Sequence, residues 1–485
     1  MVKLRVSRLA RGMLLAGAAA LIAGPALADE LRDALAMAYV SNPTLQAARD
    51  QQRAVDENVP IARAAGLPSL AGTATYTEYL KTSSNSFTSP SRSFDAGTQL
   101  GVPLYSGGAV KNSVRAAEIR VGAGQADLRG VESGIFTQVV AAYMDVILAQ
   151  EVVKLNRANV QRLEVNLQAS KDRFEIGDLT RTDVAQSQSR LSLARGQVRS
   201  SEANLISARE HYIQVVGKAP IDLQSPPPLT GLPSSAAEAV VIALDHNPDL
   251  LAAHQRATAA GYDVRVASAG KLPKVSLFAG GGYTDYLGTL GGSVPGRFTQ
   301  KSTTAQAGVR ATIPIFQGGL PAAQRRAAQA REDAVMEQEV GVERAVVANV
   351  RSAYAQWQAA QSLIGSSQVA VDAAALGLEG VRAENTVGNR TILDILNAQN
   401  ELLTAQLQFA TAQRNAYVAG FNLLSAMGKA EARDLGLDGG LLYDPQVNYD
   451  RVHHKIWDWS QDPDPTTEST RTVDTPPQDG SVNQQ

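Results

Sequence analysis

The chain is one unit written twice. Val102-Pro103-Leu104-Tyr105-Ser106-Gly107-Gly108 recurs 211 positions on as Ile313-Pro314-Ile315-Phe316-Gln317-Gly318-Gly319. The same shift carries Gly177, Asp183 and Gly217-Lys218 onto Gly388, Asp394 and Gly428-Lys429. Upstream the shift is 205: Asn42-Pro43 matches Asn247-Pro248, and Leu67-Pro68 matches Leu272-Pro273. Six extra residues of the second copy therefore lie between Pro273 and Pro314. A duplication constrains the fold because both copies must bury the same surfaces, partly against each other. It divides the chain into a leader (1–28), two repeats (about 29–219 and 235–430) and a tail (431–485).

Residues 1–28 read as an export signal. Lys3, Arg5, Arg8 and Arg11 form a basic start, Met13 to Gly24 a short apolar core, and Ala26-Leu27-Ala28 a small-x-small cleavage site. The apolar core is shorter than the ~20 residues of a membrane anchor. Without the four basic residues of the leader, 41 basic residues face 47 acidic ones. That balance gives no ground to expect nucleic acid as a partner. Cysteine is absent, so there is no disulfide and no lipid-bearing cysteine at the cleavage site. No run of 18 apolar residues follows residue 28. The membrane-spanning option left to an exported chain is a β-barrel.

Two segments read as long helices. Proline is absent between Pro103 and Pro220, and again between Pro321 and Pro445. Each of these segments has one glycine turn, at Gly177 and Gly388. Wholly helical, Gly108 to Gly177 would extend roughly 100 Å at ~1.5 Å per residue. The apolar period is seven: Val139, Val146, Val153, Val160, Leu167 and Phe174 going out, then Val184, Leu191, Val198, Leu205 and Tyr212 coming back. The second copy returns through Ile395, Leu402, Phe409, Ala416 and Leu423. Its other seam is small (Ala398, Ala405, Ala412, Ala419), like Ser187, Ala194, Ser201 and Ala208 in the first. A sustained period of seven predicts left-handed coiled coil.

Before each long helix the period changes to two. Phe94, Ala96, Thr98, Leu100, Val102 and Leu104 alternate with Ser93, Asp95, Gly97, Gln99 and Gly101; Ala305, Ala307, Val309, Ala311 and Ile313 alternate with Gln306, Gly308, Arg310 and Thr312. Leu70 to Tyr76 and Val275 to Tyr283 are the expected hairpin partners. Strands of about ten residues suit a tilted membrane strand. Tyr76, Tyr79, Tyr283 and Tyr286 near one end, with Tyr105 and Phe316 at the other, fit two interfacial girdles. Four strands cannot close a barrel whose smallest single-chain form has about eight. If they span a membrane, copies of the chain must share one barrel.

With these residues in place, the chain resembles the TolC-type outer membrane efflux protein family over about 29–430. The carriers are the Asn-Pro-x-Leu openings at Asn42 and Asn247, the paired strand-to-helix junctions ending in Gly-Gly, and Val387-Gly388-Asn389-Arg390-Thr391-Ile392-Leu393-Asp394-Ile395-Leu396. The resemblance implies a homotrimer with a mixed α/β fold. Four strands per chain would build one 12-stranded antiparallel β-barrel in outer membrane lipid, continued by an α-helical coiled-coil barrel across the periplasm. It implies a periplasmic adaptor protein and an inner-membrane transporter, ABC or proton-driven, as partners. It also implies site residues. Asp394 matches the first acidic residue of the family's pore constriction and Asn397 the second, so this chain has one carboxylate where the pattern has two. Closely spaced like charges would raise one another's pKa. Arg390 matches a basic residue that tethers neighbouring helix pairs in the closed state, with Thr182 and Asp183 as its acceptors. Asn385 stands where some members have an aromatic that helps this tether.

The sequence suggests no enzyme, no cofactor and no metal site. His211, His246, His254, His453 and His454 are scattered apart from the last two, without zinc spacing. Gly280-Gly281-Gly282 is not followed by the Gly-Lys-Ser/Thr of a phosphate loop, and no nucleophile elbow occurs. The Pro/Thr/Asp/Gln-rich end from Gln461 has the composition of a disordered segment. The expected function is an exit duct for type I protein secretion, with multidrug efflux as the alternative. The missing anchor cysteine and the acidic tail favour the former. A coiled-coil surface adhesin would keep its strands together at the C-terminus, and a periplasmic scaffold would stay soluble without detergent.

Overall fold

A computed structural model describes residues 30–81, 88–292, 294–437 and 442–482. The leader, and residues 82–87 of the first strand turn, lie outside the described residues. The first repeat runs α1 (Leu31–Ser41), α2 (Pro43–Asp56), α3 (Asn58–Ala64), β1 (Ser69–Glu78), β2 (Arg92–Tyr105), α4 (Ala109–Glu175) and α5 (Arg181–Val216). The second runs α6 (Ala236–His246), α7 (Pro248–Ser268), β3 (Lys274–Asp285), β4 (Lys301–Thr312), α8 (Leu320–Thr386) and α9 (Ile392–Ala426); the tail adds α10 (Pro445–Val452). One difference between the copies has a local cause. Pro60 removes the backbone donor that would continue α2, so α2 stops at Asp56 and α3 begins. The matching residue is Arg265, and α7 runs unbroken.

Both long helices have 67 residues. Two consecutive left-handed glycines start each: Gly107 and Gly108 at φ +65° and +84°, Gly318 and Gly319 at +60° and +82°. Other residues resist this conformation, which accounts for the Gly-Gly in both junctions. By length and composition α4 contains a stretch apolar enough to cross a membrane, but half of it is buried in the body of the protein. Phe136, Val139, Val140, Tyr143 and Val146 of α4 pack there with Leu205 and Tyr212 of α5 and with Phe421, Leu423 and Leu424 of α9.

The return helices are half as long, and the Asn-Pro motifs explain how the rod is completed. Asn42 Oδ1 accepts the backbone N–H groups of Thr44 and Leu45, capping α2, while its Nδ2 donates to the Val215 carbonyl at 2.9 Å. Asn247 caps α7 in the same way and donates to the Ala426 carbonyl at 3.0 Å. Each asparagine therefore joins the end of a return helix to the start of a shorter one, satisfying orphan groups of both. Pro43 and Pro248 fit the first helical turn, where no donor is needed. Gly217 and Gly428 close the return helices from the other side of the same joint, at φ +86° and +71°.

The four strands form one antiparallel sheet in the order β1-β2-β3-β4. Its register sorts side chains as their alternation predicts. Leu70, Leu100, Ala279 and Ala307 form one cross-strand row and Val102, Leu277 and Val309 another on the same face. The opposite face carries Gln99, Gly280 and Gln306. Tyr76 pairs with Phe94 near the outer end. The extra residues of the second copy lengthen its outer hairpin, whose ladder extends to Asp285–Lys301 where the first ends at Glu78–Arg92. Among the described residues neither β1 nor β4 has a second neighbour, and Leu70, Leu104 and Val309 stay exposed.

The tail lies against the helices. Asn448 of α10 donates to Asp56 at 2.7 Å, and Tyr449 packs beside Val59, Ala117 and Val121. Burial pushes the Asp56 carboxyl up, and its bonds from Asn448 and Gln52 partly offset this. Further on, Asp479 accepts from Arg209 at 3.1 Å and the Gly480 carbonyl from Arg157 at 3.1 Å.

Candidate functional site

Both hairpins turn at a single left-handed glycine, Gly177 at φ +86° and Gly388 at φ +85°. Each return helix then opens on a capping box. The Thr180 hydroxyl oxygen accepts the Asp183 N–H at 3.3 Å, while the Asp183 carboxylate accepts the Thr180 N–H at 2.9 Å. Thr391 and Asp394 repeat these bonds at 3.3 and 2.9 Å. The Thr-x-x-Asp spacing carries this signal in the sequence, and a reading of Asp183 and Asp394 as gate residues alone misses it.

The caps set the charge of both carboxyls. Asp394 lies below the usual carboxylate range because the backbone and hydroxyl of Thr391 donate to it, with Arg390 adding attraction. The Thr180 hydroxyl and backbone hold Asp183 low, with Arg173 adding attraction. Within one chain this is opposite to the rise that a ring of like charges would give. Because the folded pKa is depressed, the cap contributes stability above the unfolded value. That contribution disappears as pH falls through the folded value. Amide protection at the first turns of α5 and α9, corrected for intrinsic exchange, should thus hold at neutral pH and fall below about pH 4. Protection unchanged down to pH 2 would remove the caps from the account.

Arg390 is exposed and donates Nε to Glu384 at 2.6 Å within its own hairpin. Thr182 is exposed at the start of α5. Asn385 donates to the Arg390 carbonyl at 2.6 Å and faces Arg173 Nη1 at 3.5 Å. Asn397 accepts from Arg190 Nη2 of the first hairpin at 3.1 Å. The two hairpins of one chain are thus joined near the tips at Asn397 and Asn385. Sequence reasoning misses Arg190 because its partner lies 207 positions away.

Comparison with known proteins gives the same assignment as the residues. The sequence profile described as "Outer membrane efflux protein" matches residues 34–218 and 239–429, one match per repeat. The outer membrane efflux protein BepC of Brucella suis is 34% identical over 90% of this chain and 93% of its own length. The alkaline protease secretion protein AprF of Pseudomonas aeruginosa is 27% identical over 85% of this chain and 87% of its own. In three dimensions, the Campylobacter jejuni CmeC outer membrane channel superposes with a TM-score of 0.70 at 18% identity, over 87% of this chain and 89% of that one. The chain belongs to the outer membrane efflux protein family, seated in the outer membrane with its helical body in the periplasm.

Proposed function

We propose that three copies of this chain close head to tail into the exit duct of a type I protein secretion system. The observation that carries the ring is a difference between two matching helices. Of their 67 residues each, α4 buries twenty-one and α8 five. α4 is covered on one side by α2 and α3 of its own repeat and on the other by α7 of the second. α8 has α7 of its own repeat and an open face where the next repeat would be. Single positions repeat the contrast. A Cβ on Gly130 would meet Asp249 at 3.1 Å, and one on Gly107 would meet Leu272 at 2.7 Å. A Cβ on their copies Gly341 and Gly318 would meet nothing within 4 Å among the described residues. The copies of Asp249 and Leu272 are Thr44 and Leu67, which a neighbouring chain would supply.

The sheet supports the same closure. With an even number of strands, β4 of one chain runs antiparallel to β1 of the next, so joining open edges continues the ladder. Head-to-tail contacts that close make rings. Three chains supply twelve strands, with the apolar rows toward lipid.

At the tips, Asp394 is the proposed constriction residue, beside the uncharged Asn397. Arg390 is the proposed tether to Thr182 or Asp183 of the adjoining hairpin, exchanging its Glu384 partner for them. Arg390→Ser should raise single-channel conductance, and Asp394→Ala should weaken block by divalent cations. Unchanged currents in both variants would remove these roles while leaving the duct.

The proposed partners are a periplasmic adaptor and an inner-membrane transporter, ABC or proton-driven, that provides the energy. The likeness to AprF supports a secreted protein as cargo. The likeness to BepC supports small-molecule efflux as the second reading. Deleting the gene and comparing the secreted proteome with drug susceptibility separates them: loss of secreted protein at unchanged susceptibility supports secretion, and the reverse supports efflux.

A further inference from the structure

We infer that the helix-side end of the barrel lumen carries a cationic collar, built from Lys274, Phe278 and Arg310 of each protomer, that binds flat polyvalent organic anions. The inference rests on the shared barrel proposed above, in which the polar face of the sheet lines the lumen. On that face Lys274 pairs with Thr312, Ser276 with Arg310 and Phe278 with Gly308. The Phe278 ring lies across β4, where a Cβ on Gly308 would meet it at 2.9 Å. The Arg310 guanidinium carbon stands 5.1 Å from the centroid of that ring. Stacking uses the flat side of a guanidinium and leaves its N–H edge free for an oxyanion. Arg310 is thus held in place for a ligand, with an aromatic surface beside it.

Nothing on this face neutralises the collar. Its carboxylate is Asp95, in one row with Thr284 and Ser302. From Ser302 to Arg310 is eight residues along β4, roughly 26 Å at ~3.3 Å per residue. Asp95 also accepts from Thr284 at 2.7 Å and Ser93 at 3.0 Å. The sheet's ion pairs, Arg92–Glu78 and Lys301–Asp285, belong to its outer end. β1 of the next copy would bring Ser69, Ala71, Thr73, Thr75 and Thr77 to the lumen face, and none of them is charged. Three chains therefore place six uncompensated cations around one lumen.

The duplication shows that the barrel itself does not require them. The copies of Lys274, Phe278, Gly308 and Arg310 are Ser69, Thr73, Gly97 and Gln99. The glycine faces its cross-strand partner in both, since a Cβ on Gly97 would lie 3.7 Å from Thr73 Oγ1. The backbone arrangement is shared, while the cations and the aromatic ring occur in the second repeat alone. The collar lies in the wide barrel, far from the hairpin tips. It acts on solute inside the duct and does not set the closed current.

The test is fluorescence anisotropy of pyrenetetrasulfonate, a flat tetraanion, titrated with the purified protein in nonionic detergent. The unaltered protein should bind the probe saturably. Binding should weaken about tenfold or more between about 0.1 M and about 1 M salt, as the screening length falls from ~10 to ~3 Å. Arg310→Gln, which installs the residue of the first repeat, should weaken it about tenfold or more. Phe278→Thr should weaken it about two- to fivefold. Ser69→Lys with Gln99→Arg adds cations instead of removing them and should tighten binding, an effect that misfolding does not produce. A protein of three-chain mass that leaves the probe free, or binding unchanged by Arg310→Gln and by the added cations, would overturn the collar. A one-chain mass for the unaltered protein would remove the shared barrel, and the collar with it.

Discussion

Gly341→Trp should leave the chain folded and take the assembly apart. Gly341 lies on the open face of α8 with nothing within 4 Å of where a side chain would start. A Cβ there meets no described residue beyond the adjacent backbone of its own helix, and replacing a mid-helix glycine slightly favours the helix. In the ring, the same position should face Pro43 and Thr44 of the next copy, as Gly130 faces Pro248 and Asp249 within the chain. Overpacking of this kind costs about 1–3 kcal/mol per contact, and a ring of three meets it at every seam. Mass in detergent should fall from that of three chains to that of one, while helicity by circular dichroism stays constant. Gly130→Trp is the internal control and should lower helicity. An assembly left intact by the Gly341→Trp substitution would show that α8 does not form the interface assigned to it.

Gly428→Val should be among the most damaging single changes in the molecule. Gly428 has φ +71°, and a Cβ there would lie 2.4 Å from the His246 carbonyl oxygen and 2.9 Å from Asn247 Cα. Both obstacles are backbone, so neither can swing aside. Left-handed strain of about 1–2 kcal/mol adds to overpacking of about 1–3 kcal/mol, a total near 2–5 kcal/mol. The damage falls on the joint where Asn247 links α9 to α7. Gly177→Val separates the two terms. Its φ of +86° imposes the same strain, but nothing lies within 4 Å, so only about 1–2 kcal/mol is expected. Thermal unfolding of the two variants side by side checks this. Equal losses would mean that the joint is not tightly packed.

Much of the fold is legible in the sequence because the duplication states each signal twice. The Gly-Gly junctions, the single glycine turns and the change from period seven to period two mark element boundaries close to those found. The Asn-Pro motif is visible as a repeat, but its purpose is not. Its Nδ2 donates to a carbonyl 173 positions away in the first repeat and 179 in the second, and local patterning does not encode such a bond. The candidate site is less legible for the same reason. Thr180, Asp183, Thr391 and Asp394 announce themselves as caps by spacing alone. Arg190 acquires meaning only once α5 lies beside α9. The tail is the extreme case: its path along α5 is fixed by Arg209, which reaches Asp479 across 270 positions. The difference between α4 and α8 cannot be read from sequence, since the two helices are copies, and only packing reveals which one still lacks a neighbour.

The most direct test of the ring is the single-channel conductance of the purified, detergent-extracted protein in a planar bilayer. A duct closed at its tips by Asp394 and the hairpin contacts predicts small, stable, cation-selective currents. A protein that stays soluble without detergent and passes no current would contradict the shared barrel, leaving a coiled-coil body whose four strands close nothing.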